Sequence, residues 1–245
     1  MFNKIIILAL FSILPLYKTQ AAYSFFDEIK SPFVETPSKQ IFIYGFGGSL
    51  LMYAFLKDPH IIKFQERISK DKPLEHYYDF LDQMGRSVPN IIYAGSFFIH
   101  GLLSSSPKSF KKAEVMFKAS LYSGAAVTIL KQVFRENRPG GSKSKVSYPS
   151  GHATIAFAFA GVVSAEHPWY WGLGATTLAS LVAVQRMGQN AHYLHDVIAG
   201  GALGYSFGWG ISRYVSKIKG VSNSNLIIFP NTKGDGAQAR YTYNF

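Results

Sequence analysis

The stretch "SYPSGHATIAFAFAGVV" at 147–163 sets a turn-prone Pro-Ser-Gly directly against an apolar run. The run has helical character and no strict alternation, so it predicts a helix at about 153–166, with the Ser150-Gly151 pair at its start. Such a start turns backbone N–H groups outward, and the helix dipole adds to their pull on an anion. Working outward, apolar segments of the same kind lie at 41–57, 90–104, 113–135, 169–185 and 195–217. Polar stretches such as "PSKQ" (37–40) and "PHIIKFQERISKDKP" (59–73) read as interruptions between helices. The expected fold class is all-α, a helical bundle of about six core helices. The tail "NLIIFPNTKGDGAQARYTYNF" (225–245) changes period and predicts a short C-terminal β-hairpin.

Hydrophobic residues make up 48% of the 245 and charged residues only 16%. About a quarter charged is usual for a water-facing globule. Most of the apolar segments hold about 14–18 apolar residues, at or below a confident membrane span. An exported globular bundle and a bundle embedded in or resting on a bilayer both remain open. Gly200, Gly204 and Gly208, four residues apart, would let a helix approach closely in either setting.

The first residues, "MFNKIIILALFSILPLYKTQAA", carry Lys4, an apolar run from Ile5 to Leu16 and small residues at Ala21 and Ala22. This is the pattern of a secretory signal peptide, its apolar run of about a dozen residues being short of a span. Export to the periplasm is the expectation. The chain has no Cys, which excludes disulfides, thiolate metal sites and a Cys nucleophile. The net charge of +11 falls to about +9 without Lys4 and Lys18. A basic excess suits anionic lipid, an anionic substrate or nucleic acid. Export and the lack of a Lys/Arg-rich run argue against nucleic acid.

Two further stretches carry chemistry. "KQVFRENRP" (131–139) places Lys131, Arg135 and Arg138 at spacings that share one helical face before Pro139 ends the run. "QRMGQNAHYLHDV" (185–197) holds Arg186, His192 and Asp196. On a helix the step from His192 to Asp196 would let the carboxylate hold one imidazole nitrogen and free the other. Singly, these are a solvated helix face, a helix cap and a structural hydrogen bond. Together they hold the parts that phosphoryl transfer needs without a metal.

In these three motifs the chain resembles the type 2 phosphatidic acid phosphatase superfamily, which includes bacterial class A acid phosphatases and vanadium-dependent haloperoxidases. The family pattern is Lys, six residues, Arg-Pro; then Pro-Ser-Gly-His; then Ser-Arg, five residues, His, three residues, Asp. Here Lys131 is followed by Arg138-Pro139, then Pro149-Ser150-Gly151-His152, then Gln185-Arg186, His192 and Asp196. Gln185 stands where the family usually has Ser, a change expected to alter local hydrogen bonding without loss of chemistry. The resemblance is close over about 131–210.

The resemblance implies a metal-independent phosphatase of phosphomonoesters or diphosphates, with lipid phosphates the favoured substrates and membrane contact a natural accompaniment. Lys131, Arg138, Ser150, Gly151 and Arg186 would bind phosphate. His192 would attack phosphorus to form a phosphohistidine, Asp196 would fix its tautomer, and His152 would protonate the leaving group. No cofactor is implied, although vanadate could occupy the phosphate site. A soluble broad-specificity periplasmic acid phosphatase, a haloperoxidase and a non-catalytic relic are the alternatives. Arg135 and His195 match no invariant family position. On a helix His195 would point about 100° away from Asp196, as a structural or rim residue. The expected organisation is a signal peptide at 1–22, a helical-bundle phosphatase domain at 23–218 and a tail at 219–245. Whether "HYYDF" (76–80) roofs the site or only packs is left open.

Overall fold

The computed structural model describes residues 24–55, 59–141, 144–221, 224–230 and 237–243. The expected signal peptide at 1–22 lies outside them. The chain divides into two compact units, one spanning Glu28–Val215 and one gathering the described residues of Met1–Asp27 and Ser216–Phe245.

Nine helices lie among the described residues. Helix α1 is Phe25–Val34, and α2 runs continuously through Ser38–Ile41, a π turn at Phe42–Phe46 and Gly47–Ala54. Helices α3 (Pro59–Asp71), α4 (Tyr78–Gly85), α5 (Val88–Ser104) and α6 (Pro107–Phe134) follow. The chain ends its helical part with α7 (Gly151–Glu166), α8 (Trp169–Gly188) and α9 (Leu194–Val221).

The expected fold of about six core helices closed by a hairpin is therefore corrected. The three unforeseen helices, α1, α3 and α4, lie in stretches rich in polar residues, where one apolar stripe is enough to dock a helix. Among its described residues the Glu28–Val215 unit contains no strand. Strands Ser224–Pro230 and Ala237–Tyr243 pair antiparallel and belong to the other unit.

Local chemistry sets the helix ends that matter for the site. Ser106 caps α6 by accepting from the Ser109 N–H, and Pro107 occupies the first turn, where its missing N–H costs nothing. Helix α6 stops at Phe134 because Arg135 turns left-handed, with φ of 48°.

Helix α7 is the centre of the bundle, with α4, α5, α6 and α8 packed on it. Its buried residues are mostly small, among them Ala153, Ala156, Ala158 and Ala160, so neighbouring backbones come close. Gly204 and Gly208 of α9 use that space. A Cβ at Gly204 would overlap the Thr154 carbonyl, and one at Gly208 would overlap that of Ala158. Around them pack Val115, Met116, Val162, Val182, Leu203, Phe207 and Ile211.

A buried ionic group sits inside this bundle, away from the site. The Lys118 ammonium lies 2.8 Å from both Glu28 and Glu114, so two of the three charges in this cluster enter the core with their partners.

The Gly204 contact is testable by contrast with an open glycine. Gly204→Ala should lower stability by about 1–3 kcal/mol from overpacking. Gly174→Ala, where nothing lies within 4 Å of the added methyl, should be neutral or stabilising by up to about 1 kcal/mol. Thermal unfolding of the two variants beside the parent protein measures the difference.

Candidate active site

The last turn of α6 carries Lys131, whose ammonium donates to the carbonyls of Val146 and Ser147. Arg138 does not share its helical face, as the sequence spacing implied. The helix has ended at Phe134, and an irregular segment carries Arg138 back toward the site. The two cations still act on each other. Burial, reinforced by the nearby Arg138 and Arg186 charges, lowers the Lys131 pKa to about 8 against the pull of Asp196. Lys131 also lies beside Gly151, with a Cβ there placed 3.9 Å from its Cε.

At the start of α7, Ser150 is fully buried and acts as the N-cap, its hydroxyl accepting from the Ala153 N–H at 3.5 Å. Its own N–H donates to the Asp196 carbonyl at 3.0 Å, which ties the Pro-Ser-Gly-His turn to the start of α9. His152 stands in the first turn, with Nε2 3.1 Å from Asp82 Oδ1 but not aligned as a hydrogen bond. Burial and the Arg186 charge push its pKa down, while Asp82 opposes them.

Asp196 is fully buried in the first turn of α9. Its Oδ2 accepts from the Ser147 hydroxyl at 2.6 Å and the Tyr193 N–H at 2.8 Å, and lies 3.3 Å from His192 Nδ1. His192 precedes the helix, which begins at Leu194, so a turn and not a helical face makes the four-residue contact. The imidazole is 2% exposed. Its pKa falls to about 4 because burial outweighs the Asp196 hydrogen bond and charge. The carboxylate shows the reverse balance: burial opposes its ionisation, but contacts with His192 and His195 hold its pKa below the usual carboxylate range.

Arg186 closes α8 and is 8% exposed. Its Nη1 donates to Asp82 Oδ1 at 3.0 Å and to Gln189 Oε1 at 2.8 Å. Nε of Arg186 and Nε of Arg138 are buried without a hydrogen-bond partner among the described residues. Gln185, the departure from the family pattern, is fully buried, and neither of its amide atoms finds a partner among them.

Sequence reasoning missed Asp82. It sits on α4, which begins within "HYYDF" (76–80), and also pairs with Arg86 Nε at 2.6 Å. Helix α4 packs on α7 and α8, and a Cβ on Gly85 would overlap the His152 ring. The "HYYDF" region therefore leads into a wall of the site. The signal available was Asp82 and Arg86 at i, i+4 around Gly85, a pair that by itself reads as a surface ion pair.

Of the two readings of His195, the rim one is corrected, and so is its direction away from Asp196: it is fully buried, with Nε2 donating to Glu136 Oε1 at 2.9 Å and lying 3.1 Å from Asp196 Oδ1. Ligand atoms of Glu136, His195 and Asp196 fall within 4.8 Å of one another, the spacing of a metal site. The imidazole already stands between the two carboxylates, however, so their charge has a partner within the chain.

Lys131, Arg138, Gly151, His152, Arg186, His192 and Asp196 thus meet at one place, with Ser150 beneath as the cap. Residues 113–219 match the PAP2 superfamily model. Over 89 residues the chain is 37% identical to the lipid A 1-phosphatase of Porphyromonas gingivalis, covering 35% of this chain. The match spans 20% of that relative's length. A crystal structure of a transmembrane PAP2 type phosphatidylglycerolphosphate phosphatase from Bacillus subtilis overlays with a TM-score of 0.47 at 20% identity, over 72% of this chain and 96% of that one. The three motifs all fall within residues 113–219 at their family spacings, so it is this segment of the chain that matches the PAP2 superfamily.

Proposed function

We propose that the chain is a metal-independent phosphoric ester hydrolase that removes phosphate from a lipid phosphomonoester or diphosphate through a phosphohistidine. The observation that carries this reading is the buried His192–Asp196 pair set among Lys131, Arg138 and Arg186, two of which keep a buried N–H without a partner among the described residues. Such donors suit the non-bridging oxygens of a phosphoryl group.

The geometry orders the steps. Nδ1 of His192 faces Asp196, so its N–H donates there and the Nε2 lone pair attacks phosphorus. With its pKa near 4 the ring is neutral at neutral pH, as attack requires. The phosphorus–oxygen ester bond breaks, and His152 gives its proton to the departing oxygen. The incoming phosphoryl charge, together with Asp82, favours the protonated form of His152 in the complex. Water then gives a proton back to His152, its oxygen bonds to phosphorus, and the phosphorus–nitrogen bond breaks to release phosphate and neutral His192.

A lipid substrate is supported by the outer surface of the bundle. Ile91, Ile99 and Leu103 of α5 are exposed, Leu103 at 85%, and so are Trp169, Trp171 and Leu173 at the start of α8. Indole rings beside aliphatic surface suit a membrane–water boundary. Among the described residues no helix is long and apolar enough to cross a membrane. The signal-like N-terminus supports action in the periplasm or at its membrane surface.

A panel of lipid and water-soluble phosphates tests the reading. The full-length protein should release phosphate from lipid phosphates preferentially, and His192→Ala should lose at least about a thousandfold in kcat. Arg186→Ala should lose about 10²–10³-fold. A preference for water-soluble esters would favour a broad-specificity acid phosphatase, and no release from any substrate by folded protein would overturn the reading.

Lys131 gives a separate pH prediction. Its ammonium is charged below about pH 8 and loses that charge above it. Competitive inhibition by sulfate, whose own charge is constant over this range, should hold steady from about pH 5 to 7 and weaken above 8. Lys131→Arg should abolish the weakening, because a guanidinium stays charged.

A further inference from the structure

His195 and Glu136 take no part in the steps above, yet both are buried, His195 completely. His195 lies between two tyrosine rings, stacked on Tyr193 with centroids 5.3 Å apart and on Tyr148 at 5.8 Å, with Tyr53 edge-on at 5.7 Å. This sandwich fixes the plane of the imidazole. Its Nε2 then points between Glu136 Oε1 at 2.9 Å and Asp196 Oδ1 at 3.1 Å. Glu136 is anchored in turn, its carbonyl accepting from the Ser147 N–H at 3.0 Å, and the Ser147 hydroxyl reaches Asp196 Oδ2.

We propose that Glu136 and His195 form a positioning couple that holds the far oxygen of Asp196, so that its near oxygen keeps His192 in the Nδ1–H tautomer. Asp196 Oδ1 has no aligned hydrogen bond among the described residues, so the His195 ring is the group that fixes this edge of the carboxylate. Ser147 and Tyr193 anchor Oδ2, and without the His195 ring the carboxylate could pivot about that anchor and turn Oδ2 out of line with His192 Nδ1. Burial alone would discharge the His195 ring, but the two carboxylates outweigh it and raise its pKa to about 9. The couple therefore presents a cation to Asp196 at neutral pH. It also leaves Asp196 an ionised acceptor and not a competing base for the His192 proton.

The inference rests on the phosphohistidine reading for its kinetic arm alone. Two substitutions separate positioning from packing. His195→Phe keeps a ring between Tyr148 and Tyr193 but removes the N–H. His195→Gln loses the ring but keeps a donor between the carboxylates. Positioning requires that His195→Phe lower kcat by about tenfold or more with KM within about twofold, and that His195→Gln be milder. A packing role predicts the opposite order. Glu136→Gln, close in shape and safe for folding, should lower kcat in the same direction.

The second arm uses ¹⁵N-histidine NMR of the substrate-free protein and needs no turnover. The parent should show His192 protonated at Nδ1, and His195→Phe should show a mixture of tautomers. Equal or greater kcat loss in His195→Gln, or an unaltered His192 signal in His195→Phe, overturns the proposal. Parent protein that lacks phosphatase activity while the NMR change is seen would instead sink the phosphohistidine reading and leave the couple standing.

Discussion

Asp196 holds the site together. Its carbonyl accepts from Ser150, its Oδ2 gathers Ser147, Tyr193 and His192, and its Oδ1 faces His195. One residue therefore links the segment after α6, the start of α7 and the start of α9. A buried carboxylate is costly unless it is surrounded by donors and cations, and here that requirement dictates which loops must meet. The close passage of α9 over α7, which Gly204 and Gly208 allow, brings the Asp196 turn down to the Ser150 turn. Small residues in the bundle and charge saturation in the site are thus two parts of one constraint.

The cations show the complementary strain. Lys131, Arg138 and Arg186 are drawn together against their own repulsion and partly out of water, and the lowered Lys131 pKa records both effects. A protein that only needed stability would separate them. An anion between them would regain the lost solvation and remove the repulsion at once, which is the physical basis of the oxyanion affinity in the proposed function.

The sequence pointed to the residues that gather at the candidate site more directly than it pointed to the fold. Lys131, His152, Arg186, His192 and Asp196 were legible because their side chains admit few roles and their spacings are fixed. Their local geometry was less so. A face shared by Lys131 and Arg138 assumed a helix that Arg135 ends by turning left-handed, which a non-glycine residue does not advertise. Helices α1, α3 and α4 escaped notice because a polar helix docked by one stripe looks like a loop in composition. Asp82 and Glu136 were missed for a different reason. Each acquires meaning from a partner distant in sequence, Asp82 from Arg186 and Glu136 from His195, and no local pattern encodes that meeting.

Asp82 also explains how the site can be pre-assembled without being blocked. Arg186 has its Nη1 engaged by Asp82 and Gln189, while its Nε has no such partner among the described residues. The guanidinium is planar, so fixing one edge aims the other. Asp82 spends its negative charge on the edge turned to α4 and leaves the remaining edge open to the phosphoryl oxygen of the proposed reaction, so that no ion pair would need to break on binding. The same carboxylate stands 3.1 Å from His152 and counters the two influences, burial and Arg186, that would keep the acid unprotonated. A single wall residue thus orients Arg186 and, in the proposed reaction, supports the proton that His152 would give to the leaving oxygen.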